Sequence, residues 1–159
     1  MNNISFQGNF QISNNMRDKF AYRQILSEKM EKILTDRFQQ TTKNIPYTLE
    51  LTNVNPLTKY TFFTLKSENK ILSSMHEKFW GDSEKMNVNN LINIYQKLIL
   101  RKEYNDKLYE IENFYKNNKN LLIESNEIQA LKELEIQRQE EIAQLNRLFS
   151  KRFGEKLYG

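Results

Sequence analysis

From Asn87 to about Tyr115 the chain contains no proline or glycine, and Leu91, Ile94, Tyr95, Leu98, Ile99, Tyr104, Leu108, Ile111 and Tyr115 recur along it at helical spacing. Nothing in such a segment stops a helix once it has started, so the pattern predicts one of about 30 residues, roughly 45 Å long at 1.5 Å per residue. The polar run Lys116-Asn117-Asn118-Lys119-Asn120 predicts a chain reversal, and Ser125 or Asn126 can cap another helix to about Phe153. In that last helix Ile128, Leu131, Leu134, Ile142, Leu145, Leu148 and Phe149 form an apolar stripe, interrupted at Glu135 to Glu141, where Ile136 is the one apolar residue. Residues 86–159 therefore read as a long helical hairpin.

The first half reads differently. Ile4, Phe6, Gly8, Phe10 and Ile12 alternate with polar neighbours, the period of a strand with one buried face. Ser13-Asn14-Asn15 offers cap chemistry for a helix to about Gln40, with Tyr22, Leu26, Met30, Ile33, Leu34 and Phe38 on one side. Tyr47, Leu49 and Leu51 alternate as a second strand, and Pro46 suits its entry. Asn53-Val54-Asn55-Pro56 turns the chain into a third strand at Lys59 to Lys66, so strands two and three are expected to form an antiparallel hairpin. From Ser67, the spacing of Ile71, Leu72, Met75, Phe79 and Trp80 predicts a short helix, ended at Gly81-Asp82-Ser83. The expected fold is α+β: residues 1–85 form a three-stranded antiparallel sheet in β-α-β-β order under one helix, packed with the hairpin of 86–159 as one continuous domain.

Composition removes several function classes. The 159 residues include no cysteine, which excludes a disulfide framework, a thiolate metal site and a cysteine nucleophile. The N-terminus lacks the basic flank and apolar stretch of a signal peptide, and no segment approaches a membrane span, so the cytoplasm is the expected location. Four scattered glycines, Gly8, Gly81, Gly154 and Gly159, supply no phosphate-binding loop, and no cofactor is expected. A net charge of +4, from 24 basic and 20 acidic residues, is too mild a bias to name a partner.

His76 is the only histidine, and no serine sits in a tight glycine-flanked turn to use it, so it reads as a surface or helix-end residue. Glu103, Asp106 and Glu110 share a helical face, but Lys102 and Lys107 lie among them, as on a solvated face with ion pairs. Glu50 on the second strand, followed by Glu68-Asn69-Lys70 at the end of the third, resembles the core of restriction-type nucleases. That resemblance, carried by three residues and lacking the family's upstream Asp, implies two carboxylates on a divalent ion and a lysine supporting the attacking water.

Two kinds of binding remain. Arg147, Lys151, Arg152 and Lys156, interleaved with aromatic residues near the C-terminus, fit nucleic acid, although a helix C-terminus favours cations without any ligand. Leu148, Phe149, Phe153, Leu157 and Tyr158 are the candidates for an apolar surplus that a protein partner or a second copy would cover. The leading expectation is a non-enzymatic interaction module acting through its long helices, by self-association or partner binding. A basic nucleic-acid binder is the alternative, and a metal-dependent nuclease using Glu50, Glu68 and Lys70 comes third.

Overall fold

The computed structural model describes residues 8–17, 26–55, 57–58, 60–78 and 86–158, with side chains to Gly154. It is an α+β chain of two compact units, 1–99 and 100–159. In order the elements are β1 (Asn9–Ile12), α1 (Asn14–Arg17), α2 (Glu28–Thr41), β2 (Thr48–Val54), β3 (Thr61–Ser67), β4 (Lys70–Glu77), α3 (Val88–Glu124) and α4 (Ile128–Tyr158).

The sheet has four strands in the order β1-β2-β3-β4, and it is mixed. β1 runs parallel to β2, with Phe10 opposite Leu49 and Ile12 opposite Leu51, while β2·β3 and β3·β4 are antiparallel. This corrects the expected three antiparallel strands. A strand that returns to its neighbour through a helix re-enters the sheet in the same direction, as α2 makes β2 do here. The alternation expected from Ile4 onward is seen at Asn9–Ile12, and Ile4 to Gln7 lie outside the described residues.

The single helix expected to run to Gln40 is broken at Leu26 and Ser27, after which α2 is separately capped; residues 18–25, with Tyr22 of the expected stripe, lie outside the described residues. The Ser27 hydroxyl accepts the Met30 amide at 3.2 Å, satisfying an open donor of the first turn, and Glu28 and Glu31 favour the positive end of the helix dipole. Leu34 and Phe38 are buried, as the apolar stripe requires, but Met30 on the same stripe is exposed.

The short helix expected after Ser67 is instead strand β4. Glu68 and Asn69 form a two-residue turn, with Glu68 at φ 55, and Ser67 then pairs with Lys70. The spacing of Ile71 and Met75 fits a helix as well as a strand, and pairing with the aromatic-rich β3 decides between them. Phe79, Trp80 and the expected stop at Gly81 lie outside the described residues.

Register puts matching chemistry in rows across the sheet. Phe10, Leu49 and Leu65 make one apolar row, and Ile12, Leu51, Phe63 and Met75 another. They pack with Leu34 and Phe38 of α2 and with Leu91, Ile94, Tyr95 and Leu98 of α3. The Phe38 ring lies 5.0 Å from that of Tyr95, edge to face. The Tyr95 hydroxyl donates to the Tyr47 carbonyl at 2.7 Å, and burial raises this phenol well above its ordinary pKa. Gly8 is a close approach: a Cβ there would stand 2.2 Å from Thr42 Oγ1, so no other residue fits without a shift.

The intervening row, on the other face, is polar: Gln11, Glu50, Thr64 and Ser74. Glu50 is only 7% exposed, and its carboxylate accepts from Lys66 Nζ at 2.9 Å and from Gln11 Nε2. A charge this far from water is tolerable because both oxygens are engaged.

Candidate interaction surface on the helical hairpin

The unit of residues 100–159 is the rest of α3 and all of α4, joined at Ser125 to Glu127. The reversal expected at Lys116 to Asn120 does not occur there. Those residues continue α3, and the break comes at Asn126, whose φ of 55 is the left-handed conformation that ends helices and that asparagine tolerates. The Asn126 amide donates to the Ile123 carbonyl and the Glu127 amide to that of Leu122, both at 3.1 Å, closing the end of α3.

Leu100, Leu145 and Phe149 are buried together, with Tyr104, Leu108, Ile111 and Phe153 packed around them. Further from this cluster the burial runs out. Between Arg101 and Gln144, Tyr115 is the one residue classed as buried, while Tyr109, Phe114, Leu121, Ile123, Ile128 and Ile136 are all exposed. Tyr109 and Ile128 show 68% and 62% of their surface. Two helices alone cannot wrap each other's apolar residues, and the outlying ones stay in water unless something covers them.

A groove of about 820 Å³ opens along this part of the unit. Tyr115, Leu131 and Leu134 give it an apolar lining, with Tyr109 and Ile128 beside them. Arg138 grips Glu112 through two bonds, from Nε at 2.9 Å and from Nη2 at 2.7 Å, and gives Nη1 to Glu135 at 3.0 Å. The same groove holds Lys116, Lys119 and Lys132, for which no ion pair is found among the described residues. Burial, together with a hydrogen bond to Glu141, raises the Tyr115 phenol above its usual pKa.

Hydrogen bonding from Arg138 holds the Glu112 carboxyl below its ordinary value of 4.5. A depressed folded pKa means stability that is present above the unfolded value and lost as pH falls through the folded one. Glu112→Gln should therefore flatten the acid limb of hairpin stability below pH 4.5, read by urea unfolding across pH. Parallel limbs in parent and variant would show that the pair adds nothing.

The structure distributes the residues singled out from sequence unevenly. Of the apolar candidates, Leu148 is exposed, Phe149 is buried and Phe153 packs on the same cluster. The side chains of Leu157 and Tyr158 lie outside the described ones. Of the basic candidates, Arg147 and Lys151 are exposed, while Arg152 pairs with Glu103 at 3.2 Å and lies over the Phe149 ring at 5.0 Å. Lys156 is likewise outside the described side chains.

Glu50 is engaged by Lys66 rather than Lys70, and its cross-strand partner Thr64 stands four residues before Glu68. At ~3.3 Å per residue, that separates the Glu50 and Glu68 backbones by about 13 Å, too far to share one ion readily. No cluster of metal-ligating side chains occurs among the described residues. His76 packs edge-on to Tyr60 at 4.7 Å and against Phe62 at 5.6 Å. Asp106 pairs with Lys102 and Glu103 with Arg152, as on an ordinary solvated face.

Among the described residues, no helix is long and apolar enough to cross a membrane. Comparison with known proteins gives no match to a family model, to a curated protein or to a solved structure.

Proposed function

We propose that this chain is a non-enzymatic interaction module in which the sheet unit is a scaffold and the helical hairpin is the docking element. The observation that carries this reading is the thin burial from Arg101 to Gln144, where large apolar residues line an open groove and Tyr115 alone is buried. Hairpins of this kind gain most from a further helix, because burial of apolar area is what two helices cannot supply for themselves. With no cysteine in the chain, folding needs no oxidising compartment, and the reading takes the cytoplasm as its setting.

A photo-crosslinking amino acid placed at position 128 in the groove, or at the exposed Ile71 of β4 as a control, tests this in living cells. Discrete protein adducts from position 128 and none from position 71 are expected. Adducts from neither position, or equally from both, would sink the docking reading.

A further inference from the structure

The hairpin carries opposite charge on its two sides. On the groove side, Lys116, Lys119 and Lys132 are exposed, have no ion pair among the described residues and stand around Tyr109, Ile128 and Leu131. The lining carboxylates of Glu112 and Glu135 are already held by Arg138, so the groove presents apolar surface with positive charge left over.

The reverse side is its complement. Successive helical residues turn by about 100°, so positions two apart face nearly opposite ways. Glu110, Phe114 and Leu121 each stand two positions from a groove residue of α3, namely Glu112, Lys116 and Lys119, and Glu133 and Glu140 stand two from Leu131 and Arg138 of α4. Phe114 and Leu121 show 58% and 62% of their surface, and Glu110, Glu133 and Glu140 are exposed with no cationic partner among the described residues. Lys107, seven positions before Phe114, lies over the Phe149 ring at 5.8 Å.

We infer that copies of this chain stack front to back, the reverse side of one hairpin, with Phe114 and Leu121 flanked by Glu110, Glu133 and Glu140, seating in the lysine-rimmed groove of the next. This takes the groove as a docking site, as proposed above, and names its occupant. Apolar surface then meets apolar surface, and the unmatched lysines meet the unmatched carboxylates. A groove-to-groove pair would set lysine against lysine instead. Because the two surfaces differ, the contact is heterologous: a copy seated in one groove still offers its own, so association does not stop at two.

Sedimentation velocity of the full chain over a concentration series is the test, with the helicity of each variant checked by circular dichroism. The parent should pass from monomer through dimer to larger species as concentration rises. Lys116→Glu with Lys119→Glu and Lys132→Glu sets like charge against the incoming face and should weaken association by about 100-fold. Phe114→Gln with Leu121→Gln removes the apolar part of the reverse side and should weaken it by about 10-fold. Mixed, the two variants should give a one-to-one dimer that grows no further, since the first keeps only its reverse side and the second only its groove.

A parent that is monomeric throughout, or that stops at a dimer, overturns front-to-back stacking. So do a variant set that assembles like the parent, a mixture that stays monomeric, and a larger species whose absorbance at 260 nm shows nucleic acid stripped by salt. A monomeric parent that still crosslinks from position 128 to another protein overturns the stacking alone and leaves the docking reading standing.

Discussion

Replacing Phe38 with alanine should lower the unfolding free energy of the sheet unit by about 3–5 kcal/mol. The side chain is 0% exposed, and its ring lies 6.2 Å from that of Phe10 and 5.0 Å from that of Tyr95. Removing it strips contact from strand and helix together, and close-packed neighbours relax into such a space only partly. Domains of this size are stable by roughly 5–15 kcal/mol in total, so the variant should sit near the edge of folding at 37 °C. Chemical denaturation followed by circular dichroism measures the loss, with Leu57→Ala as control, since Leu57 is 91% exposed. A loss no larger than that of the control would remove Phe38 from the centre of the core.

The second large effect is expected at the polar row. Lys66→Met leaves the Glu50 carboxylate buried with Gln11 as its remaining side-chain partner among those described. Removing one member of a buried ion pair costs roughly 3–5 kcal/mol, because the other stays desolvated and uncompensated. Gln11 and the partial exposure of Lys66, at 23%, place the expected loss at the lower end of that range. Adding Glu50→Gln should recover most of it, since a neutral amide loses less on burial and can still bond Gln11. A double-mutant cycle over Glu50 and Lys66 isolates their coupling. If the two single losses simply add, the pair is ordinary surface charge.

What the sequence disclosed follows from how local each signal was. Period-two alternation identified Phe10 and Ile12, and Leu49 and Leu51, as core residues, because a strand's facing depends on its immediate neighbours alone. Helical spacing likewise identified Leu34, Phe38, Leu91 and Leu98. Strand β4 was hidden because Ile71 and Met75 satisfy the helical period, and what makes the segment a strand is pairing with β3. The parallel sense of β1 was hidden for a related reason: alternation carries no direction.

At the hairpin the existence of two long helices was legible, and the place of the turn was not. Five polar residues at Lys116 to Asn120 resemble a loop, yet each has enough helix propensity to continue one when no glycine or proline intervenes. The apolar surplus was expected near the C-terminus at Leu148, Phe149 and Phe153, and the structure buries Phe149 while exposing a larger set between Tyr109 and Ile136. The gap in the α4 stripe at Glu135 to Glu141 was the available signal for that stretch. Its partner side chains lie on another helix, and an inter-helix groove cannot be read from one helix at a time.

The parallel pairing of β1 also sets an order of assembly. Gln11 and Glu50 meet across 39 positions, whereas the β2·β3 and β3·β4 turns bring together residues only a few positions apart. Closing the longer loop costs more chain entropy before any contact rewards it, so β1 is expected to join the sheet after β2, β3 and β4 have paired. Until the three-strand meander exists, Phe10 and Ile12 have no row to complete, and the expected consequence is that the apolar side chains of β1 stay uncovered up to that point.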